Sequence, residues 1–142
     1  MNNNGVSATE LRVRYAETDQ MGYAHHSNYL VWCEQARTDH MRALGVGYKE
    51  LEDGGLLLPV VDAQLRYRAP AHYDDLLRIR CWVREVASRR VIFGYAVERV
   101  GDGRLLATAQ TSLMALGPNH ERTTIPEYVR EKLVVVPDPV RI

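Results

Sequence analysis

The chain has 142 residues, of which 46% are hydrophobic, and this is enough for one globular core. Lys and Arg total 18 and Asp and Glu total 18, so the composition excludes a general electrostatic attraction to nucleic acid or to an anionic membrane. Cys33 and Cys81 lie far apart without CxxC spacing, which argues against a disulfide framework or a zinc site.

The sequence also lacks the patterns of export and membrane insertion. Its first residues, MNNNGVSATE, contain neither a basic segment nor an apolar one. No later segment approaches the roughly 18 apolar residues that a membrane span requires. We therefore expect a cytoplasmic protein with no membrane span and no nucleic-acid partner.

The first predicted elements are a strand and a long helix. Residues 1–8 are small and polar and are expected to be frayed. Large apolar side chains at 11, 13 and 15 then alternate with Arg12, Arg14 and Ala16, the period of a half-buried strand. Apolar residues recur every three to four positions over 28–44, which predicts a helix about 25 Å long that ends at Gly45.

The rest of the chain is predicted to be mostly strands. Residues 48–53 fit one helical turn, and from residue 56 onward the apolar period changes to two. Four consecutive strands are predicted, near 61–67, 77–83, 91–97 and 105–116, and Gly101-Asp102-Gly103 joins the last two as a hairpin. A short helical pattern covers 125–133, and residues 134–142 form an extended tail.

This order of elements predicts an α+β domain that spans residues 1–142. There are no alternating βαβ units and no repeats, so we expect an antiparallel sheet that curls around one long helix. Edge strands and outward-facing side chains such as Trp82 and Met114 indicate a homodimer or a larger assembly.

One group of motifs resembles a known family. The group comprises Glu17-Thr18-Asp19, Gly22, the pair His25-His26, Asn28 and Tyr29, followed by WCEQAR at 32–37. It resembles the 4-hydroxybenzoyl-CoA thioesterase and YbgC-like acyl-CoA thioesterases of the hotdog-fold superfamily. The similarity continues through LRYRAPAHYDDLLRI at 65–79 and LLATAQTSLMAL at 105–116.

The resemblance implies a hotdog fold, with five or six antiparallel strands wrapped around the long central helix. It implies a homodimer or homotetramer in which the acyl thioester lies at the subunit interface. The thioester carbonyl points at the start of the helix, and the aspartate of the motif acts on it. By position the aspartate of the motif is Asp19, and the residue at the start of the helix is His26.

Asp19 has two interpretations. An acid before a helix is commonly a turn or capping residue, whereas the surrounding motif favours catalysis. Hydrolysis of a thioester needs an oxygen nucleophile, which is either the carboxylate or a water that it deprotonates, and the sequence leaves both roles open. A metal site of Asp19, His25 and His26 is disfavoured because adjacent side chains of an extended segment diverge. We expect no metal and no cofactor, since coenzyme A is part of the substrate.

The remaining motif residues are predicted to bind the substrate or to shape the site. Free amides near His26 carry the positive end of the helix dipole and are candidates for an oxyanion hole. Gly22 is expected to have a positive φ or to let the backbone approach the ligand. His25 departs from the family, in which an aromatic residue is common, and Tyr29 fits a core residue as well as a substrate contact.

Arginines are candidates for binding the phosphates of coenzyme A. Arg89 and Arg90 lie in a predicted turn close to where related enzymes hold the nucleotide, and Arg68 precedes a Pro-Ala pair. Charged turns are common on protein surfaces, so only a cluster of such residues would be persuasive.

Two alternatives to a thioesterase remain open at this point. Hotdog hydratases and dehydratases pair an aspartate with a histidine five residues later, and that position here is Ala24. A non-catalytic acyl-CoA-binding module would keep the pocket and the arginines but would not need Asp19. Fold similarity alone does not separate these classes.

Overall fold

The computed structural model describes residues 4–142, and its centre is a curved antiparallel sheet. Over these residues, five strands are arranged in the order β1-β3-β4-β5-β2. Their bounds are Ser7–Arg12 (β1), Val60–Tyr67 (β2), Leu76–Val86 (β3), Arg90–Arg99 (β4) and Leu105–Met114 (β5). The α+β prediction is confirmed, with five strands.

Three α-helices and a 3-10 turn accompany the sheet in the described residues. Their bounds are Tyr15–Glu17 for the 3-10 turn, and Ser27–Ala43 (α1), Tyr48–Asp53 (α2) and Glu127–Arg130 (α3) for the helices. Gly45 has a φ of +79° just after α1, a conformation that favours glycine, so its predicted role in ending the helix is confirmed.

The N-terminal prediction is corrected in two ways. Residues 1–3 of the predicted frayed end lie outside the described residues. Val6 is buried and β1 begins at Ser7, because Ser7 pairs with Cys81 of β3. The strand also ends earlier than the predicted 11–16, because the backbone turns into the 3-10 helix, where the Glu17 carboxylate accepts the Arg14 N–H at 2.8 Å.

Helix α1 lies against the inner face of the sheet and contacts β1 and β3. Its buried residues recur at the predicted spacing and are Tyr29, Trp32, Cys33, Ala36, Arg37, His40 and Met41. Two buried hydrogen bonds join it to the strands: Arg37 donates to the Tyr95 hydroxyl at 3.1 Å, and His40 Nδ1 pairs with the Ser7 hydroxyl at 2.6 Å. This packing fixes where the start of α1 meets the sheet.

The outer face of the sheet is partly covered by the C-terminal tail. Trp82, predicted to face outward and to be available for subunit contact, is fully buried there. It packs with Val6 and Ala96 beneath Val136, Val140 and Ile142. Its indole N–H donates to Asp138 at 2.9 Å. The extended tail therefore occupies the surface that the sequence assigned to a partner.

Candidate active site at the start of helix α1

Asp19 organises a tight turn just before α1. Its Oδ1 accepts the Met21 N–H at 2.9 Å and the Tyr23 N–H at 3.3 Å, and its own N–H donates to the Tyr23 carbonyl at 2.8 Å. Gly22 sits within the turn with the predicted positive φ, +80°. Within residues 4–142 no partner is seen for Asp19 Oδ2. One carboxylate oxygen thus holds the turn while the other is free.

Glu17 fastens this turn to the helix. Its buried carboxylate accepts the Trp32 indole N–H at 3.0 Å. Its backbone carbonyl accepts the His25 N–H at 2.7 Å and the Asn28 side-chain amide at 2.9 Å. The sequence motif contains Glu17, but the pattern indicated no role for it. The Glu17 carboxylate is buried, and a buried charged group is tolerated only when it is hydrogen-bonded.

The first amides of α1 differ in what they bind. The Ser27 N–H donates to His25 Nδ1 at 3.2 Å, and the Asn28 N–H donates to the His25 carbonyl at 3.0 Å. The Tyr29 N–H donates to the His26 carbonyl at 3.3 Å. In the described chain the His26 N–H has no acceptor. Of the amides predicted near His26, this one is left free at the positive end of the helix.

Two tyrosines hold the start of α1 against the sheet. The Tyr67 hydroxyl donates to the His26 carbonyl at 3.2 Å, and its ring contacts Tyr29 edge-on at 5.1 Å between centroids. The Tyr29 hydroxyl accepts the Ala71 N–H at 3.2 Å, and burial raises the pKa of Tyr29. Tyr67 was missed in the sequence because no local pattern marks a hydroxyl that reaches a helix 41 residues away.

A cleft of about 390 Å³ opens between the turn, the start of α1 and the end of β2. Four of the predicted site residues line it together: Asp19, His26, Tyr29 and Arg68. Its other walls are largely apolar, and they include Met21, Ala24, Tyr67, Ala69 and Pro70. The cleft therefore combines a free carboxylate oxygen and a helix N-terminus with an apolar lining.

The other predicted site residues lie elsewhere. Gly22 and His25 do not line the cleft; the His25 ring stacks on His26 at 4.2 Å and its Nδ1 pairs with the Ser27 hydroxyl at 2.8 Å. Within one chain Arg89 and Arg90 lie at the opposite end of the sheet. Tyr67 pairs with position 107 of β5 and Arg90 with position 114, and seven residues of strand span about 24 Å.

Among residues 4–142, no three His, Cys, Asp or Glu side chains are grouped so that they could hold a metal ion. In that same part of the chain, no helix is long and apolar enough to cross a membrane.

Comparison with known proteins identifies the family. A profile of the thioesterase-like superfamily matches residues 13–133. The chain belongs to the thioesterase-like superfamily. This confirms the resemblance that the motifs indicated, and it agrees with the prediction of an enzyme that acts on thioesters.

Individual relatives extend this result. The chain is 42% identical over 92 residues to the Bacillus subtilis protein named "Putative acyl-CoA thioesterase YneP", covering 65% of this chain and 67% of that one. It is 30% identical over 128 residues to the 1,4-dihydroxy-2-naphthoyl-CoA hydrolase of Thermosynechococcus vestitus, covering 89% and 87%. The crystal structure of hypothetical protein TT1821 from Thermus thermophilus superposes with a TM-score of 0.83 at 41% identity, covering 90% and 95%.

Proposed function

We propose that this member of the superfamily hydrolyses an acyl-CoA thioester to the free acid and coenzyme A in the cleft at the start of α1. The proposal rests on two groups with no partner in the described residues, the Asp19 Oδ2 and the His26 backbone N–H. Both residues line the same cleft. A carboxylate and an amide donor are the two groups that attack on a carbonyl carbon requires.

Two reaction routes use these groups, and both give the free acid and coenzyme A from the thioester and one water. In the first, the Asp19 carboxylate attacks the carbonyl carbon, the C–S bond breaks, and water then hydrolyses the mixed anhydride. In the second, Asp19 takes a proton from a water that attacks directly, and the proton passes to the leaving sulfur. In both, the His26 N–H donates to the carbonyl oxygen as negative charge develops on it. Neither route needs a metal or a prosthetic group.

We further propose that the active form is a homodimer or homotetramer. Strand β2 is an edge of the sheet, and its exposed residues include Val60 and Val61. An open edge with exposed β-branched side chains is a template for pairing with a second strand. Pairing of two β2 strands would cover this edge beside the cleft, and Val61→Asp should then shift the sedimentation coefficient toward that of a monomer.

We infer that α1 is the single central helix around which the sheet curls, because its buried stripe faces both β1 and β3.

We also propose a cytoplasmic location, where thiols stay reduced. Cys33 and Cys81 are both free and buried, and burial raises the pKa of Cys33 to about 12.

The test is an assay of the purified chain against a panel of short aliphatic, medium-chain and aromatic acyl-CoAs, with released thiol as the readout. Thiol release well above that of the free thioester is expected for at least one member. Hydration of an enoyl-CoA without thiol release would instead indicate a hydratase. Tight binding of acyl-CoA with no turnover would indicate a binding module, and either result would overturn the proposal.

A further inference from the structure

The peptide group between His25 and His26 carries the free N–H of the cleft. Its carbonyl is held on the opposite side, where the His25 oxygen accepts the Asn28 N–H at 3.0 Å and the Asn28 side-chain amide at 3.2 Å. The peptide is trans, so its N–H points away from these two bonds. The direction of the His26 N–H therefore depends on the backbone dihedrals of His25 and His26, which turn this peptide.

His25 is fixed on both sides of that peptide. Its backbone N–H donates to the Glu17 carbonyl at 2.7 Å, and its ring Nδ1 accepts the Ser27 N–H at 3.2 Å. The second bond is a helix N-cap, in which a side-chain acceptor satisfies a free amide of the first turn. Loss of the Nδ1 bond would free the Ser27 N–H and let the peptide that bears the His26 N–H turn about its flanking bonds.

The cap exists only while the His25 ring is neutral. A backbone N–H can only donate, so Nδ1 must present its lone pair to Ser27. The Ser27 hydroxyl lies 2.8 Å from the same nitrogen. A proton on Nδ1 would be donated to this hydroxyl, and the Ser27 N–H would lose its acceptor. Protonation would also place a positive charge at the positive end of α1.

His25 is exposed and does not line the cleft, so its ring meets solvent rather than the substrate. The segments around it carry other titratable or charged groups, which are Glu17, Asp19, Tyr67, Arg68, His72 and the stacked His26. Among residues 4–142, none of them forms an ion pair with His25. Substitution of His25 leaves all of them in place, so it separates the effect of His25 from theirs.

We propose that His25 is a positioning residue that directs the His26 N–H into the cleft, through a cap that only the neutral ring can make. The inference rests on the proposed function. A donor of an oxyanion hole is effective when it is fixed at the place where negative charge develops, so a donor that can turn loses part of its effect. Because that charge develops in the transition state, the loss falls on kcat rather than on KM.

Two substitutions separate the acceptor from the ring. His25→Asn keeps a side-chain acceptor that caps helices well and does not titrate. His25→Phe keeps an aromatic ring that can stack on His26 but has no acceptor. His120→Asn is the matched control, since His120 is exposed and does not line the cleft. The readouts are kcat and KM for thiol release from the best acyl-CoA between about pH 5 and pH 8, the range in which histidines titrate, beside thermal melting.

At about pH 8, where an imidazole is neutral, His25→Phe should lower kcat about fivefold with KM unchanged, and His25→Asn should have nearly the wild-type kcat. As the pH is lowered to about 5, the wild-type kcat should fall about fivefold relative to that of His25→Asn. This ratio cancels the titrations of Asp19 and His26, because both proteins contain these residues. The ratio of wild type to His120→Asn should stay constant.

Three results would overturn the inference: a wild-type kcat for His25→Phe, equal slowing by both variants at position 25, or a ratio of wild type to His25→Asn that does not change with pH. A rise in KM with kcat unchanged would also overturn it, because it would indicate contact with the substrate. If the wild type hydrolyses no acyl-CoA, the proposed function fails separately. Proton exchange between the Ser27 amide and water, followed by NMR, then decides the inference alone. Slower exchange in the wild type and His25→Asn than in His25→Phe supports it, and equal exchange in all three refutes it.

Discussion

The His26 backbone N–H offers the sharpest test of how the carbonyl oxygen is held. Replacing His26 by proline removes this N–H and no hydrogen bond, because no acceptor is seen for it within residues 4–142. His26 has φ −55° and ψ −31°, which a proline ring accepts, and proline is common at the first position of a helix. The perturbation is thus directed at one atom.

The expected loss follows from the role of the donor. Removing one oxyanion-hole donor typically lowers kcat by about 10²–10³, equivalent to about 2.7–4 kcal/mol of transition-state stabilisation. The free energy of unfolding should change by less than about 1 kcal/mol, the scale of a helix-cap substitution. His26→Ala is the matched control, since it removes the ring and keeps the N–H.

The assay is the initial rate of thiol release at saturating acyl-CoA, measured with thermal melting of all three proteins. His26→Pro should be at least about a hundredfold slower than His26→Ala, with a similar melting temperature. Equal kcat values for the two variants would contradict this prediction, because the amide would then have no part in stabilising the transition state.

Three further predictions concern stability and positioning. Burial lowers the pKa of His40 from 6.5 to about 4, so the unfolded chain binds a proton between these values that the folded chain does not. The free energy of unfolding measured in urea should therefore fall by about 3 kcal/mol as the pH is lowered through this window, an effect that His40→Gln removes and His120→Asn retains. Gly94→Ala should destabilise by about 1–3 kcal/mol. Its Cβ would lie 2.6 Å from the buried Trp82 ring, whereas Gly101→Ala meets nothing within 4 Å and should melt like the wild type. Tyr67→Phe should lower kcat by about fivefold through loss of the bond to the His26 carbonyl, worth about 1 kcal/mol, while the exposed Tyr73→Phe should leave kcat unchanged.

The strands and the long helix were predictable from sequence because each buries one face. Apolar residues therefore recur with the period of the strand or of the helix. The inward residues Leu77, Ile79, Cys81 and Val83 of β3 are all fully buried, as the alternation predicted. Gly22 also has the positive φ that its place in the motif indicated. Local patterns of this kind depend only on the strand or turn in which they occur.

The features that the sequence did not predict depend on distant segments. Trp82 is buried by a tail that lies more than 50 residues further along the chain. Strand register, which periodicity leaves open, places Arg89 and Arg90 far from Asp19 within one chain. His25 caps α1 through Nδ1, a use of a histidine ring that the motif did not indicate.

The catalytic role of Asp19 is tested by kcat/KM of Asp19→Asn for the best acyl-CoA, measured beside the wild type and Asp53→Asn. Asp53 is an exposed acid on α2 and serves as the control. Asparagine keeps an oxygen that can accept the Met21 and Tyr23 N–H groups, so the turn should survive and the melting temperature should stay near that of wild type. We expect kcat/KM to fall by at least about a thousandfold, since both routes need the carboxylate. A folded Asp19→Asn protein that retains the wild-type rate would contradict it.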